Sequence, residues 1–471
     1  MFFITVCIAI FVTVTCLCFP KTLRRGNKFG SSSVRRGRSR ATSSVSRWNV
    51  RDWAPAHDHR VLYGEEEAAH IEAFSAEPAK AKPKEEPHLL EEEIPASPIF
   101  ALESVRMGKG DEKVTRKALA IDMPRVIPPG TVGNNRDWLL WCHTRDDEID
   151  SDIVKFNSGR ICFATSRDGL TNWKFDVDSP IMGPNKENGD WFYFDAEHIG
   201  LGDVIQPGDR AQQKFNTMGG VFLMYIFGGR NEIEEIGEEE GTKMQVKGSK
   251  LEIGVAVSQD GAHWSRVEGP SPFGGIVEYG KEGEFDHAYA GWPSVIEIGN
   301  DYRMFYHTYD RKDGMYKIGL AMATDGLMTW KKKGMVFAGS TSGDFDRRGA
   351  TRRHVVNLED GSYKMWYEGI SESGEHSIGV ATSDDGFKWT AKSEPVFTAN
   401  KDDSQAWDSG GVGSPHLVWI PHRKIWRMYY SGTSSSAGGH HDDSGELGEL
   451  FATNIGVAES LDEDGESWIR L

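Results

Sequence analysis

The stretch that decides the fold is IGVATSDDGFKW, residues 378–389. Small and apolar residues alternate with β-branched ones, Asp-Gly follows, and Trp389 comes three residues after the glycine. The alternation predicts a strand, and Asp-Gly predicts a tight turn because glycine adopts positive φ at no steric cost. The stretch therefore predicts a β-hairpin whose second strand opens with an aromatic residue.

Five copies of this hairpin occur along the chain, and a repeat governs how the whole sequence is interpreted. The other four are ICFATSRDGLTNW (161–173), IGVAVSQDGAHW (253–264), IGLAMATDGLMTW (318–330) and IGVAESLDEDGESW (455–468). Further strand patterns precede them, including VFLMYIFGG (221–229), YRMFYHTYD (302–310), YKMWYEG (363–369) and WRMYYSG (426–432). Four short strands per unit, repeated five times, predict an all-β fold: a five-bladed β-propeller with four antiparallel strands per blade.

Short segments after most blades predict how the ring closes. They read SPIMG (179–183), SPFGG (271–275), MVFAG (335–339) and EPVFT (394–398). The fifth blade has none, but SPIF (97–100) stands ahead of the first blade. We therefore expect residues 97–100 to close the ring beside the strand that carries Trp468.

Charge and composition divide the chain into three parts. Residues 1–51 form a targeting leader, with an apolar segment at 2–19 and then an Arg- and Ser-rich stretch without acidic residues. Residues 52–96 form an acidic linker rich in Pro and Ala, and residues 97–471 form the propeller. The leader resembles the bipartite plastid leaders of algae, which predicts a plastid address and no stable membrane span in the mature form. A secretory signal or a membrane anchor is the alternative.

The net charge of −17 argues against nucleic acid as a partner, because its recognition needs concentrated Lys and Arg. We expect a small or neutral substrate instead. The pattern predicts no cofactor, with a structural cation in the propeller channel as the alternative, and a monomer.

Acidic residues recur ahead of the first strand of the blades. An aromatic-Asp pair occurs four times, and blade one has Ile121-Asp122 in its place: the four pairs are Phe194-Asp195, Phe285-Asp286, Phe345-Asp346 and Trp407-Asp408. Because first strands line the channel of a propeller, we expect these carboxylates to converge at the mouth of one pocket. Glycoside cleavage needs one protonated and one ionised carboxyl group, which such a ring could supply.

The hairpins and the MxYxG strands resemble the arabinanase, levansucrase and invertase superfamily of five-bladed glycosidases (glycosyl hydrolase families 43 and 32) over roughly residues 100–471. The resemblance implies Asp122 as base or nucleophile and Asp195 as the residue that tunes the pKa of the acid. The family's acid is a Glu of blade three, but HAYAGWPSV (287–295) contains none. The nearest non-repeated carboxylate is Glu197 in blade two, which we assign as the acid.

Residues that break the repeat near the pocket are the candidates for substrate binding. Trp292 suits stacking on a sugar face, with core packing as an equal alternative. The segment DRRGATRRHVV (346–356) could hold a phosphate or a carboxylated sugar, or could pair with the Asp ring. The predicted substrate-binding residues are Asp286, His287, Trp292, Arg352, Arg353, His354, Glu368 and Asp408.

The sequence thus predicts a glycosyl hydrolase-like propeller that acts on or binds a glycan or oligosaccharide. A carbohydrate-binding or scaffold propeller without catalysis, and a glycoside phosphorylase that uses the arginines of blade four, are the alternatives. Two insertions, at 230–250 and 434–450, should rim the pocket because both connect second and third strands.

Overall fold

The structure of the protein is a computed structural model. It describes residues 97–99, 118–130, 136–146, 154–155, 159–176, 179–207, 221–236, 244–299, 301–340, 342–435 and 453–471. The predicted leader and linker lie outside the described residues, so the plastid address stays a prediction. The insertion of blade five lies outside them from residue 436 onward.

Five four-stranded antiparallel sheets make up the fold, which confirms the predicted five-bladed all-β propeller. Blade one comprises β1 (Ala118–Ile127), β2 (Trp138–Asp146), β4 (Gly159–Ser166) and β5 (Lys174–Phe175). Blade two comprises β6 (His198–Ile205), β7 (Phe222–Gly229), β10 (Leu251–Ser258) and β11 (Ser265–Val267). A short 3-10 helix (Asn185–Asn188) lies between these two blades.

The other three blades have the same order of strands. Blade three comprises β12 (Gly291–Ile298), β13 (Asp301–Asp310), β14 (Met315–Ala323) and β15 (Lys331–Phe337). Blade four comprises β16 (Ala350–Asn357), β17 (Tyr363–Ile370), β18 (His376–Ser383) and β19 (Thr390–Ala391). Blade five comprises β20 (Gly411–Ile420), β21 (Ile425–Thr433), β22 (Thr453–Ser460) and β23 (Trp468–Arg470).

The first strands of the blades contact one another around a closed ring. The contacts run from β1 to β6, β12, β16 and β20 and return to β1. Hydrophobic clusters lie between neighbouring blades; Trp366 and Val412, for example, share the cluster between blades four and five. The core is therefore a series of interfaces between sheets, and it surrounds a central channel.

The Asp-Gly turns are built as the repeat predicts. The carboxylate of Asp168 accepts hydrogen bonds from the amides of Leu170 and Thr171, both at 2.8 Å, and Gly169 has a φ of 71°. The carboxylates of Asp260, Asp325 and Asp385 do the same in their blades. These aspartates stabilise turns and are not available for chemistry.

A hydrogen bond joins the turn of each blade to the second strand of the preceding blade. The donors are aromatic side chains at one strand position: Trp141 to Gly261, Tyr225 to Gly326, Trp366 to Gly465 and Tyr429 to Gly169. Blade three has Phe305 at this position, and Arg303 donates instead to the carbonyl of Asp385 at 2.5 Å. Blade-to-blade contact is thus made at all five junctions.

The N-terminal end of the propeller closes the ring at blade five. The amide of Ile99 donates to the carbonyl of Ile455 at 2.8 Å. Ile181, Ile276 and Val396 make the same bond with the third strands of blades one, two and four. Residue 99 therefore supplies the segment that blade five lacks, and it lies beside β22, the neighbour of the strand that carries Trp468.

A small additional sheet joins the insertions of blades one and two. It comprises β3 (Val154–Lys155), β8 (Ile233–Ile236) and β9 (Met244–Lys247), with β3 parallel to β9. Within the described residues no helix has the length and apolar character needed to cross a membrane.

Candidate active site

Each inner strand carries a β-bulge near its start, and the bulges shape the channel end. Met123, Trp292 and Ser414 occupy the bulges of blades one, three and five with φ values of 57°, 49° and 50°. Left-handed backbone at residues other than glycine is strained and clusters at functional sites. The bulges therefore indicate that the functional site lies at this end of the channel.

Asp122 occupies a position where three of the other four blades have glycine. It pairs with His143 on the second strand, as Gly200 pairs with Phe227 and Gly413 with Ser431. A carboxylate at a position that the repeat fills with the smallest residue is not needed to build a blade. Asp122 is therefore the repeat-breaking residue of the channel end.

One oxygen of Asp122 is fully hydrogen-bonded. Oδ1 accepts from the hydroxyls of Ser431 and Ser414, at 2.5 and 3.0 Å, and from the amide of Met123 at 2.6 Å. Oδ2 faces two guanidinium groups, with Arg352 at 3.7 Å and Arg145 at 4.0 Å. Burial alone would raise the pKa of Asp122, but the two arginines and Ser431 outweigh it and hold that pKa well below its ordinary value.

Glu368 lies on the other side of Arg352. Its oxygens are 3.1 and 3.2 Å from Nη1 of Arg352, and it also contacts Nδ1 of His376 at 2.6 Å and the amide of Ser414 at 2.9 Å. Burial opposes ionisation here too, but Arg352 and His376 prevail and lower the pKa of Glu368 to about 2. Both carboxylates of the site are therefore ionised at neutral pH.

The basic side chains are the accessible part of this cluster. The side chains of Asp122 and Glu368 are buried, whereas those of Arg145, Arg352 and His376 are 20, 23 and 38% exposed. Nε of Arg145 and Nε of Arg352 have no hydrogen-bond partner in the described part of the chain. The site therefore presents positive charge to solvent, on a chain that is negative overall, whereas the two Nε atoms themselves are buried.

Glu197 forms a neighbouring cluster at the start of blade two. Lys186 of the 3-10 helix and Lys247 of β9 each lie 2.7 Å from one of its oxygens. Burial would raise the pKa of Glu197, but the bonds from the two lysines outweigh it and lower that pKa. The structure thus holds Glu197 ionised, which does not suit the role of acid that the sequence suggested.

The aromatic-Asp pairs do not converge with Asp122, which corrects the expectation for Asp195, Asp286 and Asp408. Each carboxylate bonds across its own blade to a cation of the outermost strand: Arg266 for Asp195, Lys332 for Asp286 and Arg470 for Asp408. Asp286 and Asp408 also accept from the hydroxyls of Tyr306 and Tyr430 on the second strands. These aspartates tie strands of one sheet together, and Asp122 is not the fifth member of their series.

Blade three contributes less to the pocket than the sequence suggested. Trp292 is buried, with its ring stacked on His307 at 4.5 Å and packed against Phe227 at 4.3 Å, so core packing is the alternative that the structure favours. His287 lies in the turn before β12, where Nδ1 contacts the carbonyl of Gly280 at 3.2 Å. Neither side chain lies among the contacts of Asp122.

The arginine-histidine segment of blade four is divided between two places. Arg352 joins the Asp122 site, but Arg353 is buried and donates to the carbonyls of Trp292 and Thr351, joining blades three and four. His354 packs edge-on against His416 with ring centres 4.6 Å apart, and burial together with Arg125 lowers its pKa to about 3. No cluster of three or more His, Cys, Asp or Glu suited to a metal ion occurs within the described residues.

Of the predicted site residues, the structure brings together Asp122, Arg352 and Glu368. Sequence reasoning missed four of their partners: Arg145, His376, Ser414 and Ser431. The repeat gives no signal for Arg145 or His376, because both positions vary from blade to blade. The five blades have Arg145, Gly229, Tyr309, Ile370 and Thr433 at the first position and Gly159, Leu251, Tyr316, His376 and Thr453 at the second.

Comparison with known protein sequences does not assign the chain to a family. No family model matches the chain. Over 190 residues the chain is 32% identical to uncharacterized protein Rv1502 of Mycobacterium tuberculosis, a match that covers 39% of this chain. That match spans only 57% of the curated relative's own length.

Among solved structures, a glycosyl hydrolase from Bacteroides ovatus superposes with a TM-score of 0.51 at 14% identity, covering 79% of this chain and 93% of that one. BT0996, solved as a complex with RGII, gives a TM-score of 0.51 at 17% identity, covering 80% of this chain and 94% of its own. Likeness at this level of identity shows the fold and not the reaction. The resemblance to five-bladed glycoside hydrolase propellers is therefore confirmed as a resemblance of fold, and the comparisons do not single out families 43 or 32.

Proposed function

We propose that this chain is an enzyme that cleaves glycosidic bonds, with Asp122 at its reaction centre. The observation that carries the proposal is the environment of Asp122, a buried, ionised carboxylate at a position where three of the other four blades have glycine. One of its oxygens is fixed by two serines and the other faces two partly exposed arginines. The fold adds to the proposal by analogy with propellers that act on glycans.

In a hydrolytic reaction, the ionised state suits Asp122 to act as base or as nucleophile. As base it takes a proton from water while the water oxygen bonds to the anomeric carbon and the glycosidic C–O bond breaks. Glu368 and Glu197 are both held ionised, so neither suits the role of proton donor to the leaving oxygen. Among the contacts of Asp122 and Glu368, His376 is the residue that can carry a proton and is also accessible.

Phosphorolysis is a second candidate, and the exposed arginines favour it. A phosphate bound by Arg145 and Arg352 would compete with Asp122 for their charge and so raise the pKa of Asp122. Asp122 could then donate its proton to the leaving oxygen while a phosphate oxygen bonds to the anomeric carbon. The products are a sugar phosphate and a shortened glycan, and no carboxyl beyond Asp122 is needed.

The test is to incubate the purified chain with a panel of oligosaccharides and polysaccharides, in buffer with and without inorganic phosphate. Released reducing sugar indicates hydrolysis, and sugar phosphate formed only when phosphate is present indicates phosphorolysis. Asp122→Asn should lower either rate by orders of magnitude, because it keeps size and hydrogen bonding but removes the ionisable group. The matched control is Asp286→Asn, which changes a carboxylate of the blade and not of the site.

Full activity of Asp122→Asn would overturn the assignment. If no glycan is cleaved under either condition but glycans still bind, the non-catalytic binding propeller is the correct interpretation.

A further inference from the structure

Two neighbouring aromatic side chains stand out on the surface of blade two. Trp191 is 53% exposed and Phe192 is 83% exposed. Most large aromatic residues of the propeller are buried between blades, as Trp292 is. Two adjacent exposed rings form an apolar patch, and such patches are typical of binding sites.

The backbone around these rings is well fixed, so their exposure does not come from a loose loop. The amide of Asp190 donates to the carbonyl of Asn185, and the amide of Phe194 donates to that of Phe273 on the far side of the blade. The amides of Asn185 and Lys186 in turn donate to the carbonyls of Asp195 and Ala196. The segment is therefore a preformed platform that presents its rings at little cost in conformational entropy.

The platform is joined to the candidate active site through the 3-10 helix. Lys186 of that helix bonds Glu197, and the next residue, His198, lies within the electrostatic reach of both Lys186 and Arg145. Trp191 follows Lys186 by five positions, so their Cα atoms are at most about 18 Å apart even in a fully extended chain. Trp191 thus follows closely after the lysine that binds Glu197, and Arg145, which faces Asp122, is the charge that the two clusters share.

We infer that Trp191 and Phe192 form a stacking subsite for a glycan chain whose reacting end lies at Asp122. Sugar rings have apolar C–H faces that pack on aromatic rings, and this packing accepts several sugars because it uses no specific hydrogen bond. The inference rests on the proposed function for the position of the reacting end. It adds that the substrate is a chain of several sugar units and not a disaccharide.

Binding is tested first, so that the result does not depend on turnover. The full chain is run in native gels that contain mannan, arabinan or laminarin, and retardation by each polysaccharide gives its affinity. Trp191→Ala/Phe192→Ala should lower the affinity for a retarding polysaccharide by about tenfold, the effect of losing two stacking contacts. Leu461→Ala/Ile469→Ala, which removes two exposed apolar side chains from blade five, is the matched control and should leave the affinity unchanged.

Steady-state kinetics with a glycan that the chain cleaves give a second readout. The aromatic double variant should raise KM for the long chain about tenfold, leave kcat unchanged, and leave both constants unchanged for the corresponding disaccharide.

The outcomes separate this inference from the proposed function. Polysaccharide binding that depends on the two rings, without any cleavage, leaves the subsite standing and removes the enzymatic proposal. The subsite is overturned if no polysaccharide retards the chain or if the double variant is retarded like the wild type. It is also overturned if the rings instead mediate self-association, seen as a dimer in sedimentation that the double variant loses.

Discussion

Nη1 of Arg352 lies 3.1 Å from Oε1 of Glu368, and this contact fixes the guanidinium that also faces Asp122. Replacement of Glu368 by Gln removes the charge that compensates a largely buried cation. We expect Glu368→Gln to lower the free energy of unfolding by about 3 kcal/mol at neutral pH, measured by urea denaturation. Glu375→Gln, in a surface pair with Lys401, is the control and should change it by less than about 1 kcal/mol.

The same pair predicts how stability depends on pH. The folded-state pKa of Glu368 is about 2, below its ordinary value, so its contribution is present above the unfolded pKa and is lost as the pH falls through the folded one. The free energy of unfolding should therefore fall between about pH 4.5 and pH 2. The difference between wild type and Glu368→Gln should shrink over this range, because protonated Glu368 resembles Gln. A difference that stays constant with pH would show that Glu368 is not the ionised partner of Arg352.

Asp286 should matter for stability and not for the reaction. Its Oδ2 accepts from the hydroxyl of Tyr306 at 2.8 Å and from Nζ of Lys332 at 2.7 Å. We expect Asp286→Asn to lower the free energy of unfolding by about 1–3 kcal/mol, because the ion pair with Lys332 is lost and the Tyr306 hydroxyl then faces a neutral amide. Glycan cleavage and binding, measured well below the unfolding temperature, should match the wild type. A loss of kcat at unchanged stability would show that Asp286 takes part in the reaction.

The hydrogen bonds between blades can be tested by deleting one hydroxyl. Tyr225→Phe removes the donor to the carbonyl of Gly326 and leaves the ring in place. We expect a loss of about 1–2 kcal/mol in chemical denaturation, since the carbonyl is left without this buried partner. Tyr363→Phe is the comparison, because no bond from the Tyr363 hydroxyl occurs within the described structure, and it should be close to neutral. Equal effects of the two changes would refute the role of the inter-blade bond.

Ring closure has its own test at Ile99. Proline at this position has no amide hydrogen and so removes the bond to the carbonyl of Ile455. We expect Ile99→Pro to increase the rate of hydrogen exchange in β22 about tenfold or more, with little change in blade three. Uniform protection of blade five in this variant would show that residue 99 does not hold the ring.

The hairpin repeat predicted the number of blades because an Asp-Gly turn needs only local chemistry, and each copy carries the same few residues. Ring closure could also be predicted, because SPIF at 97–100 supplies the segment that the last blade lacks. Asp122 could be identified from the sequence through the family resemblance, but its position in the repeat could not. Its correspondence to Gly200 and Gly413 depends on the bulges, and a bulge shifts the register by an amount that the sequence does not reveal.

The aromatic-Asp pairs show why the rest of the site could not be predicted. A carboxylate ahead of an inner strand could face the channel or the sheet, and the choice depends on partners far away in sequence. Asp408 faces the sheet because its partner is Arg470, which lies on the outermost strand of the same blade. Arg145 and His376 were overlooked because their importance comes from Asp122 and Glu368 on the adjacent strand of the same blade, and that pairing depends on the strand register.

The bond between Ile99 and Ile455 also bears on how the protein is made. On the ribosome, residue 99 emerges long before its partner strand, because Ile455 follows Ile99 by about 350 residues. Until then the first blade has no neighbour on one side, and the apolar face that it shares with blade five stays uncovered. Contacts this distant in sequence form slowly, so the unclosed ring is the stage at which a nascent chain most needs a chaperone.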